Sequence, residues 1–272
     1  AAILGTLPLF SQFNTHSLYT RFGLGDLSKN GFGQNLAMGG TGIGIHESNR
    51  INYLNPAASA ALDSTSVYFD FGFNAFQNQY QFEDQANPGD NYISNTWWNM
   101  NFHHVAFGSS MGKHMGIMAG IVPYSSIGYN IKQEYNDPHT GTAMDTYYSG
   151  DGGIMNFFLG TSVKFMDKVS LGVTMNYLMG KLTRERKISF PMNPEAYSSL
   201  SSEEDFNLRQ AVFSLGLQYK EVFDDKFFFT LGGTYDFEID ANVEKEYNVV
   251  NGIYAGSSVY GPDSIIIEPA YP

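Results

Sequence analysis

Six histidines, two of them adjacent at His103-His104, are the first residues in this 272-residue chain that could do chemistry. Imidazole is the side chain most often recruited for metal ligation and for proton transfer near neutral pH. Neighbours in a strand point to opposite faces, so this pair is expected to offer one inward imidazole and no shared metal. His16, His46, His114 and His139 show no H-E-x-x-H or similar spacing, and no metal site is expected. Zero Cys removes thiolate ligands, cysteine nucleophiles and disulfides. Gly39-Gly40-Thr41-Gly42-Ile43-Gly44 lacks the dinucleotide-binding spacing, and Gly108 to Lys113 is a P-loop one residue too short, placed at a turn. Glu203, Glu204 and Asp205 cluster where a solvated acidic loop is expected rather than a catalytic dyad. Ser, His and an orienting acid show no triad spacing, although a triad built only in space stays open. The chain is expected to be no enzyme and to need no cofactor.

What remains is the chemistry of an apolar surface. Phe102, Val105, Ala106 and Phe107, then Ile117, Met118, Ile121, Val122 and Tyr124, make two segments that are apolar on both faces. A water-filled pore should have a polar interior. An apolar interior with a few polar groups suits a hydrophobic ligand, and Phe107, Met118, Val122 and Tyr124 are the candidate contacts. The same residues would serve equally to pack against a plug.

The elements that must position these residues are strands. From Val67 the periodicity is two: Val67, Phe69, Phe71 and Phe73 alternate with Tyr68, Asp70, Gly72 and Asn74. Val169 to Gly180, Ala211 to Tyr219 and Phe227 to Asp240 repeat the pattern, and strands are added at about Trp98 to Ser109, Met115 to Tyr124 and Gly153 to Phe165. Seven strands of about ten residues match the length that crosses a bilayer at a tilt. Connections alternate between short (Ser110 to His114, Met166 to Lys168, Glu221 to Lys226) and long and polar (Phe76 to Thr96, Gly128 to Gly152, Lys181 to Asp205). That alternation is the rule for outer-membrane barrels. Phe69, Phe71, Val173, Met175, Phe229 and Leu231 should face lipid, and Asp70, Thr174, Asn176, Thr234 and Asp236 the interior.

The fold class expected is all-β: a transmembrane antiparallel β-barrel with an N-terminal plug. Residues 1–12 read as a signal-peptide remnant or, alternatively, a short buried strand or helix. Residues 13–63 form a Gly-rich plug, with a short helix beginning after Asn55-Pro56, where Pro favours the first turn and Ala57, Ala58, Ala60 and Ala61 propagate it. Residues 64–272 supply the barrel strands. No stretch reaches the roughly 18 to 20 apolar residues of a membrane-spanning helix. The formal net charge of -12 argues against nucleic acid as a partner.

The run Asn35 to Phe73, NLAMGGTGIGIHESNRINYLNPAASAALDSTSVYFDFGF, resembles the plug and first strand of FadL-type outer-membrane transporters of long-chain fatty acids and other hydrophobic compounds. Gly116 to Tyr129, with its Pro-aromatic pair, is similar to that family's third strand, and Gly150 to Gly180 follows the family order of strand, short turn and Leu-Gly-Val strand. The resemblance covers residues 13 to about 240 and is closest to members from Bacteroidetes-like Gram-negative bacteria. It implies fourteen strands, of which seven are counted here, so the sequence is expected to be a fragment. It also implies a plug role for Gly39, Gly40, Gly42, Asn55, Pro56 and Ala57, a hydrophobic small molecule or lipid as partner, and passive uptake on a shift of the plug. The alternative is a non-transporting barrel that docks other proteins in secretion, as PorV-like proteins do.

Overall fold

The computed structural model describes residues 17–83, 92–136, 143–190, 199–223, 227–238, 243–255 and 258–266. The segment expected to be a signal remnant, residues 1–12, lies outside them, as do His16 and His139. The fold is all-β. The strands are β1 (Asp26–Leu27), β2 (Val67–Glu83), β3 (Tyr92–Met111), β4 (Met115–Asn136), β5 (Ala143–Phe165), β6 (Val169–Ser189), β7 (Ser199–Phe223), β8 (Phe227–Asp236), β9 (Val243–Ala255) and β10 (Ser258–Ile266). They form one antiparallel half-barrel sheet in the order β10-β9-β7-β6-β5-β4-β3-β2, with β8 also on β7 and β1 on β4. β8 pairs with Ser214 to Phe223 and β9 with Ser199 to Leu208, so the two act as one interrupted strand along β7. No helix among the described residues is long and apolar enough to cross a membrane, which says nothing about crossing by strands.

The period-two stripes sort as their chemistry requires. Phe69, Phe71, Val173, Met175, Phe229 and Leu231 are all exposed on the convex face. Thr174 is buried inside, and Asn176 bridges Asn156 and Ser214 across three strands on the same face.

The long connections are different from expectation. β4 has 22 residues and β7 has 25. At about 3.3 Å per residue β4 spans roughly 70 Å, against an apolar band about 25 Å tall. Most of the stretches expected as loops are therefore hairpins that run on past that band. Their inner side still buries Tyr129 and Leu182, with Ile131 and Tyr148 packed against them, but polar and charged residues break the alternation, and the backbone ladder marks these segments as strands. Glu203, Glu204 and Asp205 belong to such an extension of β7 rather than to a loop. Asp205 is buried there, 2.8 Å from Lys181 Nζ and accepting from Thr183 Oγ1 at 2.6 Å, while Glu204 pairs with Lys245.

One irregularity divides the wall. β3 and β4 pair from Met111↔Met115 only as far as Val105↔Ile121. Pro123 follows, and Pro has no N–H to give to a ladder. A bulge at Tyr124 (Pro123↔Met155, then Ser125↔Ile154) and another at His103 (Gly72↔His104, then Phe73↔Phe102) lie at the same level. Beyond this point the N-terminal segment follows β4 instead. Asp26 and Leu27 pair with Ser126 and Ser125, Ser28 N–H donates to the Tyr124 carbonyl, and Ser17 N–H donates to the Gly128 carbonyl.

Candidate functional site: the junction of plug and wall

The plug fits the wall at a row of missing side chains. Gly116, Ser162, Gly172 and Gly216 are successive cross-strand partners on β4, β5, β6 and β7. The short 3-10 helix Pro56–Ala61 lies along this row. A methyl group at Gly116 would overlap the Ser59 carbonyl, at Gly172 the Pro56 backbone, and at Gly216 the Asn55 side chain. Only backbone can come this close. The helix itself is small: Ala57, Ala58 and Ala60 are buried, and Ser59 Oγ meets Ser162 Oγ at 2.6 Å.

Asn55 fastens the start of that helix. Its Oδ1 accepts from Ala57 N–H at 3.0 Å, capping the first turn, and its Nδ2 donates to the carbonyls of Ile43 at 2.8 Å and Leu217 at 3.2 Å. Gln218, equally buried, donates to the carbonyls of Ile43 and Ile45, both at 3.0 Å, and accepts from His46 Nδ1 at 2.9 Å. Burial holds the His46 pKa below its ordinary value against the opposing effect of the Gln218 bond, so the imidazole is neutral there. Gly39 and Gly40 turn with positive φ, and Gly42 is packed so tightly on Leu54 and Asn35 that a side chain would not fit.

Met118 and Val122, the candidate ligand contacts, face inward onto a surface that is already occupied. They are buried with Phe32, Ile51, Ala106 and Phe158 in the core between plug and wall. Tyr53 of the plug lies over Phe32 and Phe158, and burial pushes its hydroxyl up to about 12. Phe107 is a correction: it lies on the convex face, paired with Phe69 at a ring distance of 4.9 Å. Tyr124 is the extra residue of the β4 bulge, 37% exposed and outside that core. The four residues therefore form no common surface. A cleft lined by Phe32, Asn35, Glu47, Arg50 and Asp70 offers about 50 Å³ of space. Ligand pockets are on the order of 300 to 1,000 Å³.

Sequence reasoning missed the glycine row, Gln218 and the histidine pair as a unit. His103 and His104 both turn inward because of the bulge, and their Nδ1 atoms are 2.7 Å apart. The sequence shows the residues, but the row needs three registers and the pair needs a bulge, and periodicity reports neither. No group of three or more metal-ligating side chains occurs among the described residues.

Against known families, the BamG family model matches residues 1–260. The chain belongs to the BamG family. The resemblance to FadL-type transporters is thereby corrected, since a BamG match covers nearly the whole chain that the shorter likeness was drawn from. No curated protein and no solved structure matches this BamG chain. Family and barrel-like fold together are compatible with an outer-membrane or envelope location.

Proposed function

We propose that this chain is a non-transporting barrel of the Gram-negative outer membrane that serves β-barrel assembly by docking protein partners of the assembly (BAM) complex. Membership of the BamG family over residues 1–260 carries the reading. It replaces uptake of long-chain fatty acids, and it replaces a hydrophobic small molecule or lipid with proteins as the partners. The geometry supports it from a second direction. A barrel that passes substrate must free its interior, yet here Asn55, Ser59 and Gln218 bond plug to wall, and Met118 and Val122 are spent on packing. A site that closes on itself suits a rigid platform. In this reading the chain performs no covalent chemistry.

The test is depletion of the full-length protein in its own cells. Folded outer-membrane barrels should fall in amount, the tagged protein should co-purify with the assembly machinery, and uptake of a labelled fatty acid should stay unchanged at matched barrel levels. An outer membrane of normal barrel content after depletion would sink the proposal.

A further inference from the structure

The net charge of -12 is not shared evenly by the two faces of the hairpin extensions. On β6 the run Arg184-Glu185-Arg186 alternates across the sheet, and on β9 Glu244-Lys245-Glu246 does the same. Arg184 and Lys245 lie 5.0 and 5.2 Å from the centre of the Phe206 ring, and Arg186 lies 5.7 Å from that of Tyr148. Both rings pack against the inner cluster around Ile127 and Leu182, so these cations stand on the concave face. Glu185 stands on the convex face, where it accepts from Ser149 and Ser201. By the same alternation Glu244 and Glu246 face outward. A fourth cation reaches the concave face from the N-terminal segment: Arg21, which ends the 3-10 helix Leu18–Arg21, lies 4.0 Å from the centre of the Tyr148 ring.

Three of the five arginines in the chain thus meet around two aromatic rings, and among the described residues none of the three pairs with a carboxylate. Glu204 is the cross-strand partner of Arg184, yet it bonds Lys245 instead. Arg184 gives one N–H to the Gly23 carbonyl, and its Nε is buried with no acceptor among the described residues. Stacking on a ring fixes the plane of a guanidinium and leaves its N–H edge open, and that edge is the group that takes a carboxylate in a two-point bond.

Spacing and place decide what fits. Arg184 and Arg186 are two positions apart on one strand, roughly 7 Å, which is also the repeat of side chains along one face of any extended chain. A lone phosphate would need its donors to converge on one centre. The face looks into the half-barrel and away from lipid, so headgroups of the bilayer do not reach it. Tyr19 and Phe22, on either side of Arg21, are 78% and 73% exposed, and aromatic residues with Arg are the side chains enriched where proteins meet. We propose that this concave face docks an extended acidic segment of a protein partner, with carboxylates at alternate positions on Arg184 and Arg186 and a further one on Arg21. The inference rests on the docking role proposed above and names the chemistry of the partner.

The test uses the full-length protein in lipid nanodiscs and a fluorescein-labelled peptide of about ten residues, alternating Glu and Thr so that one extended face carries the carboxylates. Its binding, read by anisotropy, should be roughly tenfold tighter than that of the Gln-Thr counterpart. Arg186→Gln should weaken it roughly fivefold. Lys132→Gln removes the same charge from the convex face, where Lys132 pairs with Glu134 and Asp145, and should leave binding unchanged. Equal binding of the two peptides, or an equal loss in both variants, overturns the proposal. So does displacement of the Glu-Thr peptide by an equimolar amount of inorganic phosphate or of a long-chain fatty acid, which would mark a site for a single small anion. Should Arg186→Gln fail to fold, the two peptides and the competitors on the wild type decide alone. Binding by the isolated protein is read separately from barrel levels in depleted cells: normal barrel content would sink the assembly role and leave this site standing, whereas absent peptide binding would sink the site and leave the assembly role.

Discussion

Asn55 joins three carbonyl or amide partners on three different segments, and no solvent reaches it. Asn55→Ala leaves those groups without partners in a buried place, which should cost about 2 to 4 kcal/mol of plug docking. Limited proteolysis of the plug in the folded barrel would read this loss. Val122→Asp puts a carboxylate into a core with no cation at hand, so it should lower the yield of folded barrel rather than act on passage of any solute. Heat-modified gel mobility distinguishes folded from unfolded protein. His46 binds its proton less tightly in the folded chain than at its ordinary 6.5. Its contribution to docking is thus complete above about 6.5 and is lost as pH falls toward the depressed folded value. His46→Gln should flatten that acid-side loss in a proteolysis series across pH. Of these residues the sequence singled out Asn55 only as part of the Asn-Pro-Ala motif carried by the resemblance, not as a helix cap, and Val122 as a candidate ligand contact in the interior. His46 was visible only as an isolated histidine, because Gln218 stands 172 positions away.

Elements were legible where water and lipid meet opposite faces. The stripes through Phe69, Val173 and Leu231 follow period two and face outward as read. Leu231→Arg, placed in the outward stripe near the midplane, should cost about 2 to 4 kcal/mol in denaturant unfolding from lipid. Thr174, opposite in sense, belongs to the buried side. Legibility ended at the bulges. One inserted residue inverts the parity of all that follows, so an unbroken alternation counted through His103 or Tyr124 gives the wrong face. The hairpin extensions were illegible for another reason, since their many polar and charged residues leave only a short inner stripe around Tyr129, Ile131, Tyr148 and Leu182. Pro123 was noticed as part of a Pro-aromatic pair, but its effect on the neighbouring strand required knowing which strand that was. Pro123→Val restores the missing donor, and the protection of amides at Val122 to Tyr124 against hydrogen exchange should rise if β3 re-pairs there, at the expense of the Ser28 contact.

At the scale of the molecule, a plug and a barrel wall are shared by proteins of different work, so the spelling of Asn35 to Phe73 spoke for an architecture and not for a cargo. What separates the readings is how the interior is used. Plug and wall here meet through backbone, at Gly116, Gly172 and Gly216, beside a single hydroxyl pair at Ser162. That row exists only while three ladders agree. A two-residue slip of β6 against β7 would set Gln218 or Ser214 beside Gly172, and a slip of β5 against β6 would set Thr174 or Ser170 beside Ser162. In each case a side chain would fill the groove, and the Pro56–Ala61 helix could not seat. The plug is therefore a gauge as well as a stopper: it seats on a wall whose strands are in step and rides up on one whose strands are not, so a misaligned sheet announces itself by leaving a short apolar helix uncovered.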